Sequence, residues 1–160
     1  MGIRCSSKAI IINDGKVLLN QCTRANGQVY YDLPGGGQDD YETMENAIIR
    51  EVMEETGYHI RVLSFAAMAE EIYTDEELRR QYPNYTHRIL HIFKAELKGD
   101  QQETVTGKDY CMNGSVWMPI GELELLPEIC PRGLQERFME IIESEKPVYM
   151  GTVFVDWEKA

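Results

Sequence analysis

The stretch Pro34 to Gly57, PGGGQDDYETMENAIIREVMEETG, constrains this chain more than any other segment. Three consecutive glycines after a proline end a preceding strand and allow backbone to approach a ligand or a neighbouring strand closely. Residues 42–56 then contain strong helix formers with no internal Gly or Pro, and Gly57 stands where a helix stops. On an ideal helix each residue turns about 100°. With Glu51 at zero, Glu55 falls at roughly +40° and Glu54 at roughly −60°, so all three carboxylates share one face. Ile48, Ile49, Val52 and Met53 fill the neighbouring arc, which is the side that packs on a sheet.

Three like charges within one turn repel, and they lie toward the helix C-terminus, the unfavourable end for anions. A hard divalent cation relieves both penalties, since magnesium prefers carboxylate and carbonyl oxygen. The preceding segment Pro34-Gly35-Gly36-Gly37 can offer a backbone carbonyl to such a site. Taken alone, E-x-x-E-E is more often a solvated acidic face.

The rest of the chain supplies a sheet. Residues 8–12 and 16–20 read as two strands around the turn Asn13-Asp14-Gly15, and residues 30–33 as a third. Further strands are expected over 62–69, 88–97, 116–120 and 149–157. A short helical turn is expected within 74–85 and a second amphipathic helix over 131–144. The fold class expected is a mixed α/β (α+β) arrangement, one domain over 1–160 with a mixed sheet between helices.

Composition narrows the function. The formal net charge of −11 repels phosphate backbones, so a nucleic-acid polymer is not the expected partner. A small phosphorylated substrate remains open, because a bound cation inverts the local field. No apolar run reaches the length of a membrane span and no secretory leader is evident, so no membrane partner and a cytoplasmic location are expected. Cys5, Cys22, Cys111 and Cys130 form no C-x-x-C pair, and the three histidines have no metal spacing. The glycine run matches neither the P-loop nor the dinucleotide fingerprint, and no EF-hand loop occurs.

The longer pattern settles which reading of the acidic helix to pursue. Gly36, Glu42, Arg50, Glu51, Val52, Glu54, Glu55 and Gly57 fall in register with a motif of Gly, five residues, Glu, seven residues, Arg-Glu, an aliphatic, any residue, Glu-Glu, any residue, Gly, and an aliphatic. Residues 36–58 thus resemble the Nudix box; only Tyr58, aromatic where an aliphatic is usual, departs from it. A chance match is on the order of 10⁻⁷ to 10⁻⁶.

The resemblance implies an α/β/α sandwich of the Nudix type and a hydrolase that breaks a diphosphate (pyrophosphate) bond in a nucleotide-derived small molecule. Nucleoside triphosphates, ADP-ribose, nucleotide sugars and dinucleoside polyphosphates all remain candidate substrates. It implies Mg²⁺ as cofactor, with Mn²⁺ as an alternative, held by Glu51, Glu54, Glu55 and a carbonyl of Gly35 or Gly36. Arg50 and Glu42 take orienting roles, and Glu51 is the first candidate for general base. In some members the base lies in a loop before the Trp-containing strand; Asp109, ahead of Trp117, is the second candidate, with a plain surface Asp as its rival. Arg24 is placed like a phosphate-contacting arginine of some relatives, against the rival of a surface arginine. Arg79 and Tyr82 lie in an aromatic and Arg-rich segment suited to gripping a base or phosphate, though such segments are more often packed loops or dimer contacts. Homodimers are common in the family. The main alternative is a catalytically silent Nudix-like binding module, although such proteins usually lose a box carboxylate and this chain keeps all of them.

Overall fold

The computed structural model describes residues 2–109 and 111–156. Strand β1 (Arg4–Asn13) and strand β2 (Lys16–Thr23) meet at a two-residue turn. Asp14 and Gly15 both have positive φ, 50° and 70°, the mirror-image turn that matches strand twist. β1 pairs with β2 only at this hairpin end. Farther back it runs parallel to β6 (His87–Gln102), from Arg4 opposite Arg88 to Ile11 opposite Ala95. The sheet therefore splays into two leaves.

One leaf holds β4 (Gly35–Gly37), β1, β6, β5 (Tyr58–Tyr73) and β9 (Val148–Val155). The other holds β2, β3 (Val29–Asp32), β7 (Met112–Pro119) and the two-residue β8 (Ile129–Cys130). Helix α1 (Met44–Thr56) packs on one side and helix α3 (Leu134–Glu143) on the other. Helix α2 (Glu76–Gln81) is a short surface element between β5 and β6.

The two-residue period of the strands sorts the core. Ile10, Val17 and Leu19 face α3, joining Leu134, Phe138 and Ile141. Ala9, Ile11 and Leu18 face α1, joining Ile48 and Val52. Burial on both faces explains why these strands read as continuous apolar runs. Truncation of a fully buried anchor such as Ile48 to Ala costs about 2–5 kcal/mol.

Several elements differ from expectation. The box helix starts at Met44, because the Thr43 hydroxyl caps it by accepting from Asn46 N–H at 3.1 Å; Glu42 lies just before it. β5 and β6 are each 16 residues long. Their register shifts near Tyr58/Ile60, Val62/Ser64 and Phe65/Ala67, so alternation along β5 breaks and hides its length. The Gly35–Gly37 turn is a strand. The C-terminal strand is described to Val155, and Trp157 lies outside the described residues.

A buried charged cluster ties β5, β6 and the segment before α3 together. Glu71 is 0% exposed. It accepts from the Arg88 guanidinium and from Arg132 N–H at 3.1 Å, while Arg88 also donates to the Tyr73 hydroxyl at 3.1 Å.

Candidate active site

The site is built where α1 crosses the glycine strand. β4 runs antiparallel to β1 with Ser6 opposite Gly37, Ser7 opposite Gly36 and Lys8 opposite Gly35. Ala9 N–H bonds Pro34 O and Gln38 N–H bonds Cys5 O on either side of this ladder. Alternation then turns the Gly36 peptide groups toward β1 and those of Gly35 and Gly37 outward. Gly35 has φ 130°, and a side chain there would collide with the Ser7 carbonyl oxygen and come within 2.9 Å of Lys8 Cα. Only glycine fits.

The outward groups of Gly35 are both used. Its N–H donates to Glu55 Oε2 at 2.8 Å, and its carbonyl accepts from Lys8 Nζ at 2.8 Å. Lys8 also donates to Asp32 Oδ2 at 2.9 Å and to Leu33 O at 3.1 Å. Burial alone would lower the Lys8 pKa, but Asp32 and Glu55 together hold it above the ordinary lysine value. Asn20 Nδ2 donates to the same Glu55 oxygen at 2.7 Å, and the Ser115 hydroxyl donates to Asn20 Oδ1 at 2.8 Å, which fixes the amide's orientation. Glu55 is 7% exposed, and burial pushes its carboxyl up to about 7 despite these partners.

Glu51 sits over Gly36. An added Cβ at Gly36 would stand 2.5 Å from the Glu51 carboxyl carbon, so glycine makes the cradle for that carboxylate. Partial burial raises the Glu51 pKa, with Arg50 opposing. Arg50 organises the rest. Its Nε and Nη2 grip Glu42 in a fork, each at 2.9 Å, and that bonding lowers the Glu42 pKa to about 2. Nη2 also reaches Gly37 O at 3.0 Å. Nη1 lies between Glu51 Oε1 at 3.0 Å and Glu54 Oε2 at 3.4 Å. Arg50 thus bridges two carboxylates of the acidic face.

These residues fit a divalent cation in donor chemistry. Glu51 and Glu54 already share one positive group, Glu55 is buried without full charge compensation, and Gly36 leaves room beside Glu51. As posed, Arg50 takes two carboxylates and the third turns inward, so among the described residues no three Asp, Glu, His or Cys side chains stand together to chelate an ion. The ladder also separates the two glycines proposed as ligands: the carbonyl of Gly35 faces the site and that of Gly36 faces β1.

The other candidate residues fall in three places. The loop carrying Asp109 is pinned to α1, with Thr106 N–H at 3.0 Å and Gly107 N–H at 2.9 Å from Glu54 O; Asp109 itself is exposed. Arg24 stacks 4.3 Å over the Tyr30 ring and pairs with Glu128, beside a cleft of about 290 Å³. Arg79 donates Nε to Tyr73 O at 2.5 Å, and Tyr82, just beyond α2, is exposed. Among the described residues no hydrogen bond or ion pair joins Arg24, Arg79 or Tyr82 to the box carboxylates. Lys8, Asn20 and Ser115 are site residues that sequence reasoning missed. A lysine inside the run SSKAIII was the available signal, since a charge on a buried strand needs a partner.

Comparison with known proteins agrees with this geometry. The NUDIX domain model matches residues 4–136. An RNA pyrophosphohydrolase of Sphingopyxis alaskensis is 27% identical over 150 residues, covering 86% of this chain and 93% of that protein. Two solved structures share the fold. A NUDIX hydrolase from Nitrosomonas europaea has TM-score 0.68 and 18% identity, covering 88% of each chain. A MutT protein from Bacillus halodurans has TM-score 0.69 and 23% identity, covering 98% of this chain and 92% of that one. With a family model matching residues 4–136 and the box carboxylates set on a glycine-cradled helix, the chain belongs to the Nudix family.

Proposed function

We propose that the protein hydrolyses the diphosphate linkage of a nucleotide-derived small molecule with Mg²⁺ bound, Mn²⁺ serving as an alternative. One observation carries this reading: Glu55 is buried against the Gly35 N–H while Glu51 rests in the Gly36 cradle, so two desolvated carboxylates flank one glycine strand. Glu51, Glu54, Glu55 and the Gly35 carbonyl would hold the cation, with Gly36 making room for Glu51. When bound, the cation offsets charge on the diphosphate and acidifies water.

The protein's own groups do the remainder. Arg50 keeps Glu51 and Glu54 facing the glycine strand. Lys8 and Asn20 hold Gly35 and Glu55 in place. Glu51 has one oxygen on Arg50, and its second oxygen takes the proton of the attacking water. Asp109, on the loop fixed to Glu54, is the second choice for that base. Arg24, Arg79 and Tyr82 are proposed substrate contacts.

A net charge of −11 favours a small substrate over a polymer. The relative described as an RNA pyrophosphohydrolase makes a 5′-triphosphorylated RNA oligonucleotide a necessary member of the test panel. The test is phosphate and nucleotide release from nucleoside triphosphates, ADP-ribose, nucleotide sugars, dinucleoside polyphosphates and that oligonucleotide, with Mg²⁺, with Mn²⁺ and with chelator. Metal-dependent cleavage of a small member is expected. Silence across the panel from folded protein that still binds nucleotides would instead establish the binding-module alternative.

A further inference from the structure

Arg4 lines a cleft of about 410 Å³ beside the box, together with Gln38, Asp39, Asp40, Tyr41, Glu42 and Asn84. Its guanidinium carbon lies 4.6 Å over the centre of the Tyr85 ring. The group also lies against Gly37, where an added Cβ would come within 2.7 Å of that carbon. Gly37 is the residue whose carbonyl holds Arg50, so Arg4 abuts the strand that cradles Glu51. Aromatic stacking and backbone contact hold the group while leaving its N–H donors unpaired.

Among the described residues those donors have no partner. Among the described residues every other arginine has a hydrogen bond or ion pair: Arg24, Arg50, Arg61, Arg79, Arg80, Arg88, Arg132 and Arg137. Arg4 has neither, although acidic residues share its cleft. Glu42 is bonded to Arg50, and Asp39 lies 3.8 Å from the same guanidinium. A stacked guanidinium with free N–H groups is a pre-set fork for a planar pair of acceptor oxygens. The cleft is large enough for part of a nucleotide.

We propose that Arg4 is a substrate-binding residue that grips a phosphoryl group of the substrate, next to the Gly36–Glu51 cradle. This rests on the hydrolase reading only for the name of the ligand; the grip itself is a binding property. Gly37 matters to it, because any side chain there displaces the guanidinium.

The experiment measures equilibrium binding of α,β-methylene-ADP, which cannot be cleaved at that linkage, and of adenosine, both in chelator. Wild type, Arg4→Ala, Arg4→Lys and the distant control Arg61→Ala are compared, with thermal unfolding to verify the fold. Arg4→Ala is expected to weaken α,β-methylene-ADP at least about tenfold, Arg4→Lys to recover only a fraction, and adenosine and the Arg61 control to be unaffected. Equal binding by Arg4→Ala, an equal loss for adenosine, or no binding by wild type overturns the proposal. Arg4-dependent binding in a protein that cleaves nothing on the substrate panel would sustain it and remove the hydrolase reading instead.

Discussion

The Gly35 N–H donates to the Glu55 carboxylate at 2.8 Å, so the strand and the helix of the site are joined through the least exposed of the three box carboxylates. The bond carries a stability consequence. Glu55 has its pKa raised from 4.5 to about 7 by burial. Between those values the folded protein keeps a proton that the unfolded chain has released, so the metal-free protein loses stability as pH rises through that window. The full cost is on the order of 3 kcal/mol. Glu55→Gln is therefore expected to flatten this pH dependence and to raise metal-free stability above pH 7. Denaturant unfolding from pH 5 to 8 in chelator measures it; parallel curves for both proteins would contradict the assignment.

Loading a divalent cation should displace that proton. Calorimetric titration with Mg²⁺ at pH 6.5, in two buffers of different ionisation enthalpy, is expected to report net proton release that Glu55→Gln lacks. Identical apparent enthalpies in the two buffers would show that no proton leaves.

Glu54→Gln with Glu55→Gln is expected to cut turnover by roughly 10²-fold or more while the fold survives, since oxygen donors are lost with little change of volume. Steady-state rates on the best panel substrate, with far-ultraviolet circular dichroism as the control, decide it. An active double variant would defeat the metal-site assignment.

Adjacent glycines should behave differently. At Gly35 a Cβ meets backbone, the Ser7 carbonyl oxygen and Lys8 Cα, and φ is 130°. At Gly36 the three nearest atoms all belong to the Glu51 carboxylate. Gly35→Ala is expected to destabilise by roughly 2–4 kcal/mol. Gly36→Ala should unfold almost as the wild type does but lose most of its turnover, because Glu51 must move. Thermal melts and rates on both variants test this contrast, and an active Gly36→Ala protein would remove Glu51 from the mechanism.

The contrast marks what sequence could and could not supply. Glu51, Glu54, Glu55, Arg50 and the helix that carries them were legible because helical spacing is a local property. The hairpin at Asp14-Gly15 was legible for the same reason. Lys8, Asn20 and Ser115 come from three strands that only sheet pairing brings together, with Asn20 bonding Glu55 directly, Ser115 holding Asn20 and Lys8 holding Gly35. The Gly35–Gly37 strand has no side chains to show a period. Glu71 lies two residues beyond the expected end of its strand at residue 69, in step with the buried Ala67 and Ala69, and its charge reads as solvent-facing.

Glu71 ties β5 to β6 and to the segment before α3. It is wholly buried, with Arg88 and Arg132 around it, and these guanidinium groups hold its carboxyl below the usual range although burial opposes them. A lowered pKa contributes stability that is present above the unfolded value of 4.5 and lost as pH falls below it. Acid unfolding of the wild type is therefore expected to draw on Glu71, in the direction opposite to Glu55. Glu71→Ala leaves two arginines facing each other without their shared anion, at a cost of about 3–5 kcal/mol near neutral pH. Glu71→Gln keeps the acceptor for Arg132 N–H and should cost less, with a weaker dependence on acid. Denaturant midpoints for the three proteins at pH 4 and pH 7 measure both effects. If Glu71→Ala matches wild type at pH 7, the cluster does not hold β5, β6 and the segment before α3 together.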